Sequence, residues 1–474
     1  MRRDDRQLIW FRNQLRLHDQ PLFEGRERPG RVTVGVWILD PREHLQEMDG
    51  FSRSSARKLQ FLLESVSSLR TRLRSIGTEL IIRVGHPEEI LPGLLKELKA
   101  TSVAAICQPG TEERAVEDRL SGSLGERWVP LKHETILEIE DLEYFVSELP
   151  EVFSRFRRTA EKKLKLLEPR PAPDTLECLE LPDGFDIGSV PDLDELGYER
   201  PELDDRGVLE FRGGELEGLS RLDSWMFEHD RLRRYKETRN GMLGEAYSSK
   251  FSPWLANGSL SSRFVIQETL RYEAERTAND STYWLRFELY WREYFRLYLL
   301  KHGTTLFQRG GPVESELVWS NPAGHFEAWR DGCTGVPLVD ANMIELKQTG
   351  FMSNRGRQIV ASFLSKNLDV DWRLGAEWFE HCLVDYCPSA NWGNWAYAAG
   401  VGADPRGFRG FDIDRQARSY DPDGRYVSHW LGEERAASMN ASRHPLWEEA
   451  GVAPIVDPSV SLAAARRRWQ QASA

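Results

Sequence analysis

SSARKLQFLLESVSSLRTRLRSIGTELIIRV, residues 54–84, sets a helical pattern directly against a strand-like one. Leu59, Leu62, Leu63, Val66, Leu69 and Leu73 recur every three or four residues, the spacing that gathers apolar side chains on one helix face. Gly77 stops the pattern, and Glu79–Val84 follows as a β-rich run. Outward from it lie Leu8–Phe11 and Val32–Leu39 on one side and Val103–Cys107 on the other. Short β-rich runs alternating with helical segments predict parallel βαβ units, because parallel neighbours need a crossover long enough to hold a helix. The fold class expected is therefore α/β, with a doubly wound parallel sheet at the N-terminus. Beyond residue 208 the patterns are almost all helical. In Tyr283–Leu300, aromatics and leucines cover most of the circumference, as a buried helix requires.

Between these halves, residues 169–201 carry Pro169, Pro171, Pro173, Pro182, Pro191 and Pro201 with no sustained period. The division predicted is an α/β domain over 1–135, a connector over 136–207, a helical domain over 208–431 and a short tail over 432–474. Charge supports the connector. The 474 residues hold 63 Lys and Arg against 75 Asp and Glu, a net −12, yet Asp174 to Gly218 alone has fifteen acids and three arginines. The remainder balances, so the halves are free to carry local basic surfaces. A uniformly basic coat for nucleic acid and a disordered chain are both excluded.

Five scattered cysteines without a CxxC pair argue against a disulfide or zinc framework, so no metal is predicted and a reducing cytoplasm is the expected compartment. The start, MRRDDRQLIW, lacks the features of a secretory signal, and no run approaches a membrane span. Sixteen tryptophans are present, eleven of them between Trp225 and Trp430. Such an excess suits either a rich helical core or a site for flat rings.

No GxGxxG follows a strand and no GxxxxGK[ST] exists; Gly213, Gly214 and Gly218 lie in the acidic stretch. In the helical half, Tyr235 is followed by Ser248-Ser249-Lys250-Phe251-Ser252 before a helical segment, an arrangement of hydroxyls and backbone N–H groups suited to a pyrophosphate, although an ordinary capped loop has the same look. Glu288 and Arg292 stand at i and i+4, either as a surface ion pair or, given their aromatic neighbours, as buried groups with a functional partner.

The strings FSPWLANGSLSSR (251–263), WSNPAGHFEAWRDGCTGVPLVDANMIELKQTGFMSNRGRQIVASFL (319–364), DVDWRLGAEWF (369–379) and NWGNWAYAAGVGADPR (391–406) resemble the photolyase and cryptochrome family, most closely its DASH-type cryptochromes. The resemblance is colinear from the first strand to about Leu431. It implies an antenna chromophore in the α/β domain and U-shaped FAD in the helical one. Tyr235 and Ser248 to Ser252 would hold the phosphates and ribityl chain, and Arg292 falls among the flavin contacts. Asn354, Arg357, Asp385 and Asn391 would surround the ring, with Arg357 and Asp385 as an ion pair and Asn391 facing the reactive nitrogen. Cys387 departs from the pattern, which has aspartate there. Trp395, Trp372 and Trp319 coincide with the family's electron-transfer chain to the surface, while Trp254, Trp284, Trp329 and Trp378 remain expected core.

For substrate, the resemblance implies Glu288, Trp291, Gln358 and Tyr397 in a lesion pocket and Arg239 and Arg355, beside the run Arg231, Arg233, Arg234 and Lys236, as phosphate contacts. The expected activity is blue-light repair of cyclobutane pyrimidine dimers in single-stranded or looped DNA by an electron from reduced flavin, in a monomer. Asn354 and Gln358 stand where (6-4) photolyases need histidines, which disfavours that chemistry. A blue-light receptor signalling to a partner is the alternative. The resemblance implies 5,10-methenyltetrahydrofolate as antenna, held by Glu113, with a deazaflavin or no antenna as the alternatives and a solvated first-turn acid as the other reading of Glu113.

Overall fold

The computed structural model describes residues 5–26, 30–132, 134–404, 408–436 and 453–472. Its first strands are β1 (Asp5–Phe11) and β2 (Arg31–Leu39), followed by a small ribbon of β3 (Glu47–Met48) and β4 (Phe51–Ser52). Three further strands, β5 (Leu80–Val84), β6 (Ser102–Ile106) and β7 (Trp128–Leu131), complete a parallel sheet in the order β5-β2-β1-β6-β7. The register sets Leu8 beside Val34 and Val103, and Val103 beside Trp128. The expected doubly wound α/β domain is therefore present, with β7 as a strand the sequence patterns did not mark.

The helix predicted from residues 54–73 spans Ala56–Ser75, begun by the hydroxyl of Ser55, which accepts from the Lys58 N–H. Leu59, Leu63, Val66, Leu69 and Leu73 pack on the sheet. On another side of the same helix Phe61 leaves the sheet and meets Trp254 edge-on at 6.0 Å, so this element carries two cores.

Residues 136–207 are not only a connector. Helix Phe153–Lys163 sends Phe153, Phe156 and Ala160 into the helical core. Leu176 and Leu193 pack into the sheet's core, and β8 (Glu177–Cys178) extends the sheet along β2. The prolines break the period, but single apolar anchors still pin the chain to both halves. The tail also contains structure: helix Pro458–Ala472 docks where Asn367 Nδ2 donates to Ser461 Oγ at 2.9 Å and Arg468 pairs with Asp369 at 2.9 Å.

The helical half is built around Asp280–His302, started by a capping box of Asn279 and Thr282. Helices Asn354–Ser362, Trp372–Cys382 and Pro388–Ala399 surround it, the first two begun by the side chains of Ser353 and Asp371. The two halves are joined by buried charge. Arg16, 1% exposed, donates to the carbonyls of His18, Gly258 and Asp19, each at 2.9 Å, and Asp19 accepts from Arg263 Nε at 2.8 Å. Gly258, with φ +71°, lies so close to Asn13 that a Cβ would collide with its carbonyl.

Gly375 is a second close approach. A Cβ there would run into the Trp395 ring and Leu364. Alanine would gain about 1 kcal/mol in helix propensity, whereas overpacking a filled core costs about 1–3 kcal/mol. Gly375→Ala is therefore expected to lower unfolding free energy by up to about 2 kcal/mol in denaturant titration; a more stable variant would show that Trp395 can yield.

Candidate flavin site and interdomain cavity

Two cavities lie against each other. The first, about 470 Å³, is enclosed by the helical half. The second, about 480 Å³, lies between the halves. Leu255, Ala256, Leu289, Arg292, Tyr386 and Cys387 line both, so they form the shared wall. Each volume falls within the roughly 300–1,000 Å³ usual for organic ligands.

The first cavity brings together Tyr235, Ser248, Ser249, Lys250, Phe251, Ser252, Arg292, Asn354, Arg357, Asp385, Cys387 and Asn391 from segments far apart in sequence. Arg357 reaches Asp385 through two parallel hydrogen bonds, Nη1 to Oδ1 at 3.0 Å and Nη2 to Oδ2 at 2.8 Å, a fork that also orients both groups. Asn391 Nδ2 donates to the Ala376 carbonyl at 2.9 Å. A carbonyl can only accept, so the amide is locked with Oδ1 as its remaining polar atom. Lys250, at φ +56°, donates to the Glu245 carbonyl at 3.0 Å and lies 3.4 Å from the Tyr247 ring centroid. Burial holds its ammonium well below the usual lysine range, with Arg221 adding to the shift; a diphosphate alongside would restore its charge.

Glu288, Trp291, Gln358, Tyr397 and Arg239 also line this cavity. Of the two readings of Glu288 and Arg292, the surface ion pair is absent: the carboxylate accepts from Arg239 and, at 3.1 Å, from Trp284 Nε1, while Arg292 Nη2 donates to the Leu255 carbonyl at 2.5 Å. The cavity draws Glu288 and Arg292 to different walls, and burial raises the Glu288 carboxyl against the pull of Arg239. Trp284, expected in the core, is half-buried at this rim. Trp291 has Phe153 stacked on it at 3.7 Å and Tyr397 edge-on at 6.1 Å. Arg355 does not line the cavity; it donates to Gln358 at 3.1 Å and Asn240 at 3.3 Å. Sequence reading missed Arg409, which donates to the Tyr397 hydroxyl at 2.8 Å, and Phe411 beside it.

Trp395 lines the cavity, and Trp372 and Trp319 belong to the same helical core. Trp319 was expected at the surface end of a chain but is 7% exposed, its indole donating to the Ser365 carbonyl at 2.8 Å. Trp254, Trp329 and Trp378 are core, as expected.

In the interdomain cavity Glu113 curls back over Gly110 and faces Glu43. Burial and the neighbouring Glu113 carboxyl push Glu43 up to about 7, and burial raises Glu113 as well. Burial and Lys58 lower His44 to about 3, leaving it neutral. The pair Glu43 and Glu113 thus offers both a donor and an acceptor near neutral pH.

A family model described as the FAD binding domain of DNA photolyase matches residues 284–471, and one described as DNA photolyase matches residues 7–174. Cryptochrome DASH of Gloeobacter violaceus is 47% identical over 445 residues, covering 93% of this chain and 88% of the relative. The chain belongs to the photolyase/cryptochrome family. Its DASH-type relatives extend to solved structures: the Synechocystis cryptochrome superposes with a TM-score of 0.89 at 41% identity, over 98% of this chain and all of that one. A bacterial class III photolyase from Agrobacterium tumefaciens follows at 0.82 and 26% identity, over 100% and 98% of the two chains. The match to an FAD binding domain makes FAD the implied cofactor, and the residues lining the first cavity fit the group. Arg292 Nη1 is buried there without a hydrogen-bond partner, aimed at no protein acceptor. FAD, when bound, supplies the one-electron chemistry; the chain binds, orients and shields it. Among the described residues no cluster of His, Cys, Asp and Glu is placed to hold a metal, no helix is long and apolar enough to cross a membrane, and no cysteine forms a disulfide.

Cys387 stands at the N-cap of helix Pro388–Ala399, with no side-chain capping bond, and its Sγ lies 3.3 Å from Ser389 Oγ. Burial would raise its thiol, but Arg292, together with Ser389, the Ala390 N–H and Arg296, holds it below the usual range. Cys387→Asp restores a capping carboxylate worth about 1 kcal/mol and places a full negative charge beside Arg292. The expected outcome is retained FAD binding, higher thermal stability and a more negative flavin potential in spectroelectrochemical titration. An unchanged potential would mean that this position does not sense the ring.

Proposed function

We propose that the protein is a deoxyribodipyrimidine photolyase-type lyase that uses FAD and blue light to split cyclobutane pyrimidine dimers in single-stranded or looped DNA. One observation carries this reading: Glu288, Trp291, Gln358 and Tyr397 share a cavity with the flavin contacts, so a flipped-out lesion and the electron donor would occupy one water-poor space. Glu288, its carboxyl raised by burial, would hydrogen-bond a pyrimidine edge, and the Trp291 and Tyr397 rings, in edge-on contact at 6.1 Å, would form one aromatic wall beside it.

The preference for single strands rests on the charges around the mouth. Arg233 pairs with Asp230 at 3.2 Å, Arg234 with Glu237 at 3.2 Å and Lys236 with Asp280 at 2.7 Å, and Arg239 is engaged by Glu288. Cations already balanced by the protein's own acids add little net attraction for a phosphate backbone. A duplex lesion must also be unpaired and unstacked at a cost of a few kcal/mol, which such a surface recovers poorly.

For the interdomain cavity the reading is 5,10-methenyltetrahydrofolate as antenna. Glu113 and Glu43 would bind the amino-pyrimidinone edge of its pterin, and Lys58 on the same wall, which donates to the carbonyls of Arg53 and Glu380, would receive a carboxylate. The photoreceptor reading uses the same FAD site and differs in its output to a partner.

Reduced protein given dimer-bearing oligonucleotides is expected to repair the single strand under blue light, to leave the duplex largely unrepaired, and to do nothing in the dark. Absence of repair on both substrates would replace this reading with the receptor. Glu113→Gln is expected to weaken folate binding at least tenfold, removing the near-ultraviolet absorbance band that exceeds FAD alone while FAD is retained; a band of full intensity would place the antenna elsewhere.

A further inference from the structure

Tyr386 belongs to the wall shared by the two cavities, yet none of the roles above uses it. Its hydroxyl donates to Glu380 Oε2 at 2.7 Å, and Glu380, 2% exposed, is held in turn by Arg53 Nε and Nη2, each 2.8 Å from Oε1. The same phenolic oxygen receives the indole N–H of Trp392 at 3.4 Å. Trp392, 6% exposed, lies 5.6 Å from buried Trp372, centroid to centroid, at an interplanar angle of 76°. Trp372 thus has Trp392 as its aromatic neighbour and, through it, a hydrogen-bonded contact with Tyr386.

A tyrosine is a poor one-electron donor while it keeps its proton, because the radical cation is a very strong acid. It becomes a good donor when a base already accepts its hydrogen bond, since the proton then crosses as the electron leaves and the charge at the ring does not change. A buried carboxylate at 2.7 Å is such a base. Placed one contact beyond Trp392, the pair could fill a hole before it returns.

We propose that Tyr386 and Glu380 form a proton-coupled electron donor ending a branch through Trp372 and Trp392, which leaves a neutral tyrosyl radical facing the interdomain cavity. It rests on the reading of Trp395 and Trp372 as electron carriers. The oxidant is the photo-excited, oxidised isoalloxazine, acting through those tryptophans. Tyr386 gives one electron to the Trp392 radical cation and its phenolic proton to the Glu380 carboxylate. A thiol reductant from solvent later returns one electron, and the proton goes back from Glu380. This end of the branch lies among the residues assigned above to the antenna, so donor and antenna would share one opening.

The test is flash photolysis with electron paramagnetic resonance on the full-length, FAD-loaded protein. In Trp319→Phe, which removes the other expected carrier, a long-lived tyrosyl signal is expected, rising more slowly in D2O. Adding Tyr386→Phe should abolish that signal. Glu380→Gln, which keeps the shape but cannot take the proton, should abolish it while the flavin absorbance stays unchanged. A Trp319→Phe protein showing only a tryptophanyl radical, indifferent to Tyr386→Phe, would overturn the proposal. Trp395→Phe separates the two readings: loss of every radical upholds the carrier chain, whereas a persisting tyrosyl signal overturns that chain and keeps Tyr386 as donor.

Discussion

The buried contact of Arg16 and Asp19 with Gly258 and Arg263 is the constraint on which the two-cavity architecture depends. Its members come from the loop after β1 and from Gly258 to Arg263 at the start of helix Ser262–Glu275, so the Asp19 carboxylate draws its cation from the other half of the molecule. Removing one partner of such a buried pair typically costs about 3–5 kcal/mol, because the other charge is left uncompensated. The halves therefore dock in one orientation, with Phe61 against Trp254 extending the contact. The interdomain cavity follows from that orientation.

The shared wall makes the cavities electrically dependent on each other. Arg292 is held by the Leu255 carbonyl and faces Cys387, so its charge reaches both spaces. Tyr386 and Cys387 follow Asp385, the residue forked to Arg357, in a single short turn. One stretch of four residues, Asp385 to Pro388, thus orients a carboxylate of the first cavity, a phenol of the shared wall and a helix start. The segment combines these roles because Pro388 begins the helix and leaves the preceding side chains pointing into the cavities on either side.

Much of this was readable in the chain. The period of residues 56–75 and the β-rich runs around it specified the sheet domain, since burial on one face leaves a repeating apolar signature. The residues assigned to a flavin came from resemblance, and the structure brings them to one cavity. The rest was not readable, for identifiable reasons. The Glu288 and Arg292 spacing left a pair and separate buried partners both open, because helix geometry only makes such a pair available; Arg239 and the Leu255 carbonyl, which decide it, come from other elements. The proline-rich stretch hid β8 and Trp284's place at the rim gave no sequence signal at all, because a strand of two residues and a half-buried indole have no period.

By itself the sequence determined the fold class, the two-part organisation, the family and the residue types available for a flavin, because these follow from local periodicity and from long colinear strings. Only the tertiary structure decided which cation met which carboxylate, that two cavities share one wall, and that Tyr386 stands between Trp392 and a buried base. Those are facts of distance between residues remote in the chain, such as Arg53 and Glu380, whose partners are selected by packing and by the cost of leaving a buried charge unpaired.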